Sequence, residues 1–164
     1  MILVGLGANL PTQWGGPQAT LAAALEALEC EAVHVLARSR WYRSAPVPAS
    51  DQPWYVNAVA SVATAHPPVA LLRLLHSVEA RFGRQRRARN EARPLDLDLL
   101  DYDGLVLEQD GLVLPHPRLH ERAFVLLPLA EIAPDWRHPR LGKTVAELIA
   151  ALPADAAAEP IPPE

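Results

Sequence analysis

An α+β sandwich with a largely antiparallel sheet is expected of this chain. Apolar residues recur at every second position in some segments and at every third or fourth in others, the spacings of half-buried strands and amphipathic helices. Across residues 2–101 these segments follow the order strand, helix, strand, strand, helix, strand, the split β-α-β arrangement of a ferredoxin-like βαββαβ sheet. Helices should pack on one face of it. A length of 164 residues suits one domain with its own core. That domain is assigned to residues 1–152, and the Pro, Ala and Glu of 153–164 are read as a disordered tail.

Residues 1–7 are an apolar run closing in Gly-Leu-Gly-Ala-Asn, a buried strand passing into a turn. Gly5-x-Gly7 lacks the third glycine of the dinucleotide fingerprint, so no Rossmann site is read there. Beyond a Pro- and Gly-rich loop, Leu21, Leu25 and Leu28 fall on one stripe and predict a helix over 18–29. Val33, Val35 and Ala37 alternate with polar positions, which predicts one strand over 33–42. The three prolines Pro46, Pro48 and Pro53 mark a surface connection.

The strand over 55–64 places Val56, Ala58, Ala60 and Val62 on one face and Tyr55, Asn57, Val59 and Ser61 on the other. Pro67-Pro68 opens a helix whose stripe is Leu71, Leu75, Val78 and Phe82, with Gly83 as its stop. On that helix His76 and Glu79 stand three apart and should point the same way. Further on, short strands over 105–107 and 112–114 flank a turn at Gln109-Asp110-Gly111. Residues 118–132 read as one helix bent near Pro128. Thr144 and Glu147 have the capping-box spacing for a last short helix.

The chemistry concentrates in residues 84–100. Arg84, Arg86, Arg87, Arg89 and Arg93 lie in a segment with no apolar side chain larger than alanine, a basic loop with nothing from which to build a core. Leu95, Asp96, Leu97, Asp98 and Leu99 then alternate as a strand, with both carboxylates on one face. Carboxylates at i and i+2 have β-carbons roughly 7 Å apart, wide enough to bracket a pair of divalent ions. Oxygen donors with no cysteine close by suit magnesium rather than zinc. Metal-bridged oxygens together with arginine forks are what a polyphosphate requires, so phosphoryl-type transfer is the reaction class these residues imply. The aspartates and arginines alone leave the accepting nucleophile open.

Composition narrows the alternatives. A net charge of −4 argues against a general nucleic-acid binder. A ferredoxin-like RNA module would also carry more sheet aromatics than Tyr55. Between Arg81 and Arg93 stand six arginines and one glutamate, a local surplus suited to steering a compact anion. The single cysteine, Cys30, excludes an internal disulfide and a multi-cysteine metal site. A start of Met-Ile-Leu-Val without a basic region, and no apolar run of membrane length, imply a cytoplasmic protein without membrane contact.

Five segments in register carry a resemblance. They are Gly7-Ala8-Asn9-Leu10, Tyr42-Arg43-Ser44-Ala45-Pro46, Gln52-Pro53-Trp54-Tyr55-Val56-Asn57, the run from Gly83 through Asp98, and Leu114-Pro115-His116 with Arg122-Ala123-Phe124-Val125-Leu126. Over residues 5–134 the chain resembles the 6-hydroxymethyl-7,8-dihydropterin pyrophosphokinases of the folate pathway. The resemblance implies a ferredoxin-like fold, transfer of the terminal diphosphate of ATP to the pterin hydroxymethyl group with release of AMP, two magnesium ions, and a monomer acting on small molecules. It implies that Asp96 and Asp98 hold the metals and that Arg84, Arg86, Arg89 and Arg93 belong to a loop closing over ATP. Arg84 and Arg93 would act on the developing phosphate charge, and Asp98 or a water would take the hydroxyl proton.

The same resemblance puts His76, Glu79, Leu99, Val113, His116 and Arg122 on the nucleotide side. The pterin would lie between Tyr55 and Phe124, with Asn57 and Ser44, Ala45, Pro46 and Val47 reading its edge. A flat heterocycle with an amide edge suits two ring faces and an amide that both donates and accepts. Many members carry Trp-Gly-Pro where this chain has Asn90-Glu91-Ala92. Ala45 stands where proline is common, and Pro117 where some members have tyrosine.

Overall fold

The structure, a computed structural model, describes residues 1–46, 48–83 and 94–162. In chain order its first half comprises β1 (Ile2–Ala8), α1 (Pro17–Cys30), β2 (His34–Arg38), β3 (Tyr42–Ser44), β4 (Tyr55–Ala63), α2 (Pro68–Arg81) and β5 (Asp96–Tyr102). The second half adds β6 (Leu107–Gln109), β7 (Leu112–Leu114), a 3₁₀ turn (Leu119–Glu121), α3 (Ala123–Ile132), α4 (Val145–Ala150) and β8 (Glu159–Pro160). The main sheet runs β5-β1-β4-β3-β8, with β2 also paired to β4, and every pairing in it is antiparallel. Among the described residues no helix is long and apolar enough to cross a membrane.

Local chemistry sets the helix ends. Pro17 and Pro68 occupy the first helical position of α1 and α2, where their missing N–H costs nothing. Gly83, at φ +90°, takes the left-handed conformation that stops α2. The capping box of α4 is formed, with Thr144 Oγ1 accepting from the Glu147 N–H and Glu147 Oε1 from the Thr144 N–H. Asp110 and Gly111, both at positive φ, turn β6 into β7 as a two-residue hairpin.

The sheet is covered on both faces, not one. Val4, Leu6, Ala58, Ala60, Val62, Leu97 and Leu99 pack against Leu21 and Leu28 of α1 and Leu71, Leu75 and Val78 of α2. On the reverse, Leu3, Val59 and Leu100 are apolar as well, and α3 and α4 bury them with Val125, Leu126, Leu129, Val145 and Leu148. A bulge in β5 opposite Leu3 and Val4 inserts Leu100. It turns both Leu100 and Asp101 to this second layer, where Asp101 accepts from Trp136 Nε1 at 2.8 Å.

Other expectations are also revised. The strand expected over 33–42 is two strands, because its middle backbone bonds elsewhere. Ser39 Oγ replaces a ladder partner of the Val59 N–H, and the Arg40 N–H donates to the Glu131 carboxylate of α3. Tyr42 donates to that carboxylate too, tying α3 to this edge of the sheet. The helix expected over 118–132 breaks at Arg122, whose backbone is extended, while Pro128 sits inside α3 without ending it. The tail read as disordered supplies β8, which pairs with β3.

Candidate active site

The helical layer on the second face stops short of the sheet's end. There β4, β1 and β5 present Asn57, Gly7 and Asp96 in one row, Gly7 being the register partner of both others. Two strand spacings put Asn57 and Asp96 roughly 10 Å apart across the glycine. A side chain at residue 7 would fill that floor, since a β-carbon built there lies 3.1 Å from Asn57 Nδ2. One step along, Gly5 lies opposite Asp98. The Gly-x-Gly pair therefore keeps alternate positions of a strand bare.

Over this row opens a cavity of about 410 Å³. Tyr55 and Asn57 of β4, Ser44 and Ala45, and Phe124 with Arg122 all line it. The break before α3 puts Arg122 at its N-cap, with the guanidinium 5.4 Å from the Phe124 ring centroid. Ser44 Oγ donates to Asn57 Oδ1 at 2.7 Å, which orients the amide and leaves its Nδ2 toward Gly7.

The acidic end of the site is built on β5. Asp96 and Asp98 are half-buried on the face that carries Gly7 and Asn57, while Leu97 and Leu99 point into the opposite core. Glu79 is buried at 1% exposure near the end of α2, and its Oε2 accepts from the Leu97 N–H at 2.8 Å. That bond holds the peptide between the two aspartates. His116 lies within electrostatic reach of Asp96, Arg118 and Arg122. Burial pushes its pKa down to about 4, with Arg122 and Arg118 adding to the effect and Asp96 opposing it. Neutral at pH 7, it accepts from the Arg118 N–H at Nδ1, so its proton sits on Nε2.

Of the residues expected at the site, Ser44, Ala45, Tyr55, Asn57, Asp96, Arg122 and Phe124 line the one cavity. Pro46 is buried beside it, and Asp98 lies one step farther along β5, outside the lining. His76 and Glu79 stand one turn apart on α2, His76 exposed and Glu79 buried, and neither lines the cavity. Leu99 is core on the far side of the sheet, and Val113 is half-buried in β7. Val47, Arg84, Arg86, Arg89 and Arg93 fall outside the described residues. Gly7, Pro48, Arg118, Glu121 and Ala157 also line the cavity and were not anticipated. Only Gly7 had a sequence signal, the bare alternation of Gly5-x-Gly7.

Two oxygen-donor carboxylates on one strand face fit magnesium, which takes one or two carboxylates and completes its shell with water and substrate phosphate. Among the described residues no group of three or more His, Cys, Asp or Glu is placed to hold a metal.

Fold and pocket together define a class of protein in which an antiparallel sheet covered by helices gathers aromatic, amide and carboxylate side chains around one cavity at its end. The chain belongs to the 7,8-dihydro-6-hydroxymethylpterin-pyrophosphokinase (HPPK) family, whose model matches residues 3–134. It is therefore a pyrophosphokinase. It is 43% identical over 150 residues to the 2-amino-4-hydroxy-6-hydroxymethyldihydropteridine pyrophosphokinase of Methylorubrum extorquens, covering 91% of each chain. It is 42% identical over 147 residues to the protein of that name from Synechocystis, covering 90% of this chain and 73% of the relative. The fold is shared with wild-type Plasmodium falciparum HPPK-DHPS, at a TM-score of 0.69 and 14% identity. That match covers 91% of this chain and 40% of that one.

Proposed function

We propose that this chain moves the terminal diphosphate of ATP onto the hydroxymethyl group of 6-hydroxymethyl-7,8-dihydropterin, giving AMP and the pterin diphosphate in folate biosynthesis. The observation that carries this reading is the Asn57, Gly7, Asp96 row beneath one cavity. It sets an amide that can read a heterocycle edge two strands from a carboxylate that can hold a metal.

Tyr55 and Phe124 flank the pterin, and Asn57, oriented by Ser44, pairs with its amide edge. Asp96 and Asp98 would hold two magnesium ions, whose charge would offset that of the phosphates. Arg122 reaches the phosphates from the α3 N-cap, and neutral His116 donates from Nε2. Arg84, Arg86, Arg89 and Arg93, which precede β5 in sequence, add positive charge for the phosphates. In-line attack through a loose transition state asks the protein for placement and charge compensation, so no covalent nucleophile is required. A ferredoxin-like arrangement is supported by the strand order, in which β5, β1 and β4 are followed by β2 and β3. The net charge of −4 favours small-molecule substrates over nucleic acid.

Asp96→Asn and Asp98→Asn test the reading in an assay of magnesium-dependent AMP formation from ATP and the dihydropterin. Each should cut the rate at least about a hundredfold, near 2.7 kcal/mol of barrier, while thermal melting stays within a few degrees of the parent. Unchanged turnover in both variants would refute the metal assignment.

A further inference from the structure

The family match ends at residue 134, yet the chain returns to the pocket more than twenty residues later. Ala157 lines the cavity, and the segment just after it is pinned to β3. In register, Pro160 lies opposite Tyr42 and Glu159 opposite Arg43, and the Ile161 N–H donates to the Trp41 carbonyl at 2.8 Å. Glu159 Oε1 takes a two-pronged contact from the Arg43 guanidinium, at 2.6 Å from both Nε and Nη2. Arg43 also lies 5.8 Å from the Trp54 ring centroid, next to Tyr55. The next residue of β3 is Ser44, which orients Asn57.

Proline at 160 and 162 limits this segment to an outer edge, because neither can donate to a ladder. A two-residue pairing and an exposed ion pair hold it only weakly. A ligand that touches Ala157 binds the docked segment in preference to the released one, and so draws it down. We propose that residues 157–161 form a strap on the pterin side of the pocket, anchored by the Arg43 and Glu159 pair, and that its docking strengthens binding of the heterocycle but not of ATP. This rests on the pterin reading above. The strap would make part of the specificity wall a feature of this chain's C-terminal segment rather than of the region the family shares.

The test uses the full chain with Arg43→Glu, Glu159→Arg and the charge-swapped double variant. Each single substitution should raise the KM for the dihydropterin about fivefold, the size one exposed ion pair can carry. The KM for ATP and the kcat at saturating pterin should stay within about twofold. The double variant should restore the pterin KM, which a merely structural disturbance of the edge would not do. Ala157→Leu should raise it with the anchor intact, while Ala154→Leu, outside the lining, should not. Single variants with the parental pterin KM, or a double variant that fails to rescue, would overturn the strap. A parent chain that turns over no pterin at all would instead overturn the proposed function.

Discussion

Glu79 offers the sharpest test of how the aspartate pair is held. Among the described residues strand β5 ends the sheet, with no further strand on its outer side, so a buried N–H there must be paired elsewhere. The Leu97 N–H meets that need through Glu79 Oε2 at 2.8 Å, at a position 1% exposed. Glu79→Ala removes the acceptor and strands a buried donor, a loss of ~1–3 kcal/mol. At ~2–4 °C per kcal/mol for a chain of this size, melting should fall by roughly 2–12 °C. Glu79→Gln keeps an oxygen acceptor on a side chain of the same length and should recover most of that stability. Because Leu97 lies between Asp96 and Asp98, the alanine variant should also need more magnesium for half-maximal rate, with the pterin KM unchanged. Thermal melts and magnesium titrations of both variants are the assay. An alanine variant as stable as the parent would refute the reasoning. So would a glutamine variant as damaged as the alanine one, since charge rather than the hydrogen bond would then be the determinant.

Two further outcomes follow from the pocket. Gly7→Ala places a methyl group 3.1 Å from Asn57 Nδ2, on an amide already held by Ser44; the pterin KM should rise at least about tenfold, near 1.4 kcal/mol, with melting little altered. His116 has a folded pKa of about 4 against an ordinary 6.5, so the unfolded chain takes up its proton first as pH falls. Its contribution is complete above pH 6.5 and is lost between 6.5 and 4, by ~3 kcal/mol in all. Urea unfolding at pH 7.5 and 4.5 should therefore show a larger loss in the parent than in His116→Asn, and equal losses would contradict a buried neutral imidazole.

Much of the fold was legible because its signals are local. A proline at the start of α2 and a glycine past its end act through φ and a missing N–H within one turn. The apolar and acidic alternation of β5 puts Asp96 and Asp98 on one face through the pleat alone. Errors arose where a distant group competed for the backbone. Glu131, some ninety residues away in sequence, takes the Arg40 N–H and helps split the strand expected over 33–42. Spacing within α2 likewise could not show that Glu79 turns inward, because the group that draws it, the Leu97 N–H, lies on another element.

By itself, the order of residues determined the element types, the caps and turns, the carboxylate pair and the aromatic and amide candidates, because these depend on sterics and hydrogen bonds spanning a few positions. Tertiary structure alone decided that Asn57, Gly7 and Asp96 form one row, that Arg122 leaves its helix to enter the pocket, and that Ala157 returns to its wall. Those outcomes follow from strand register and from burial of both sheet faces, free energies summed over many distant contacts that no short stretch of the chain contains.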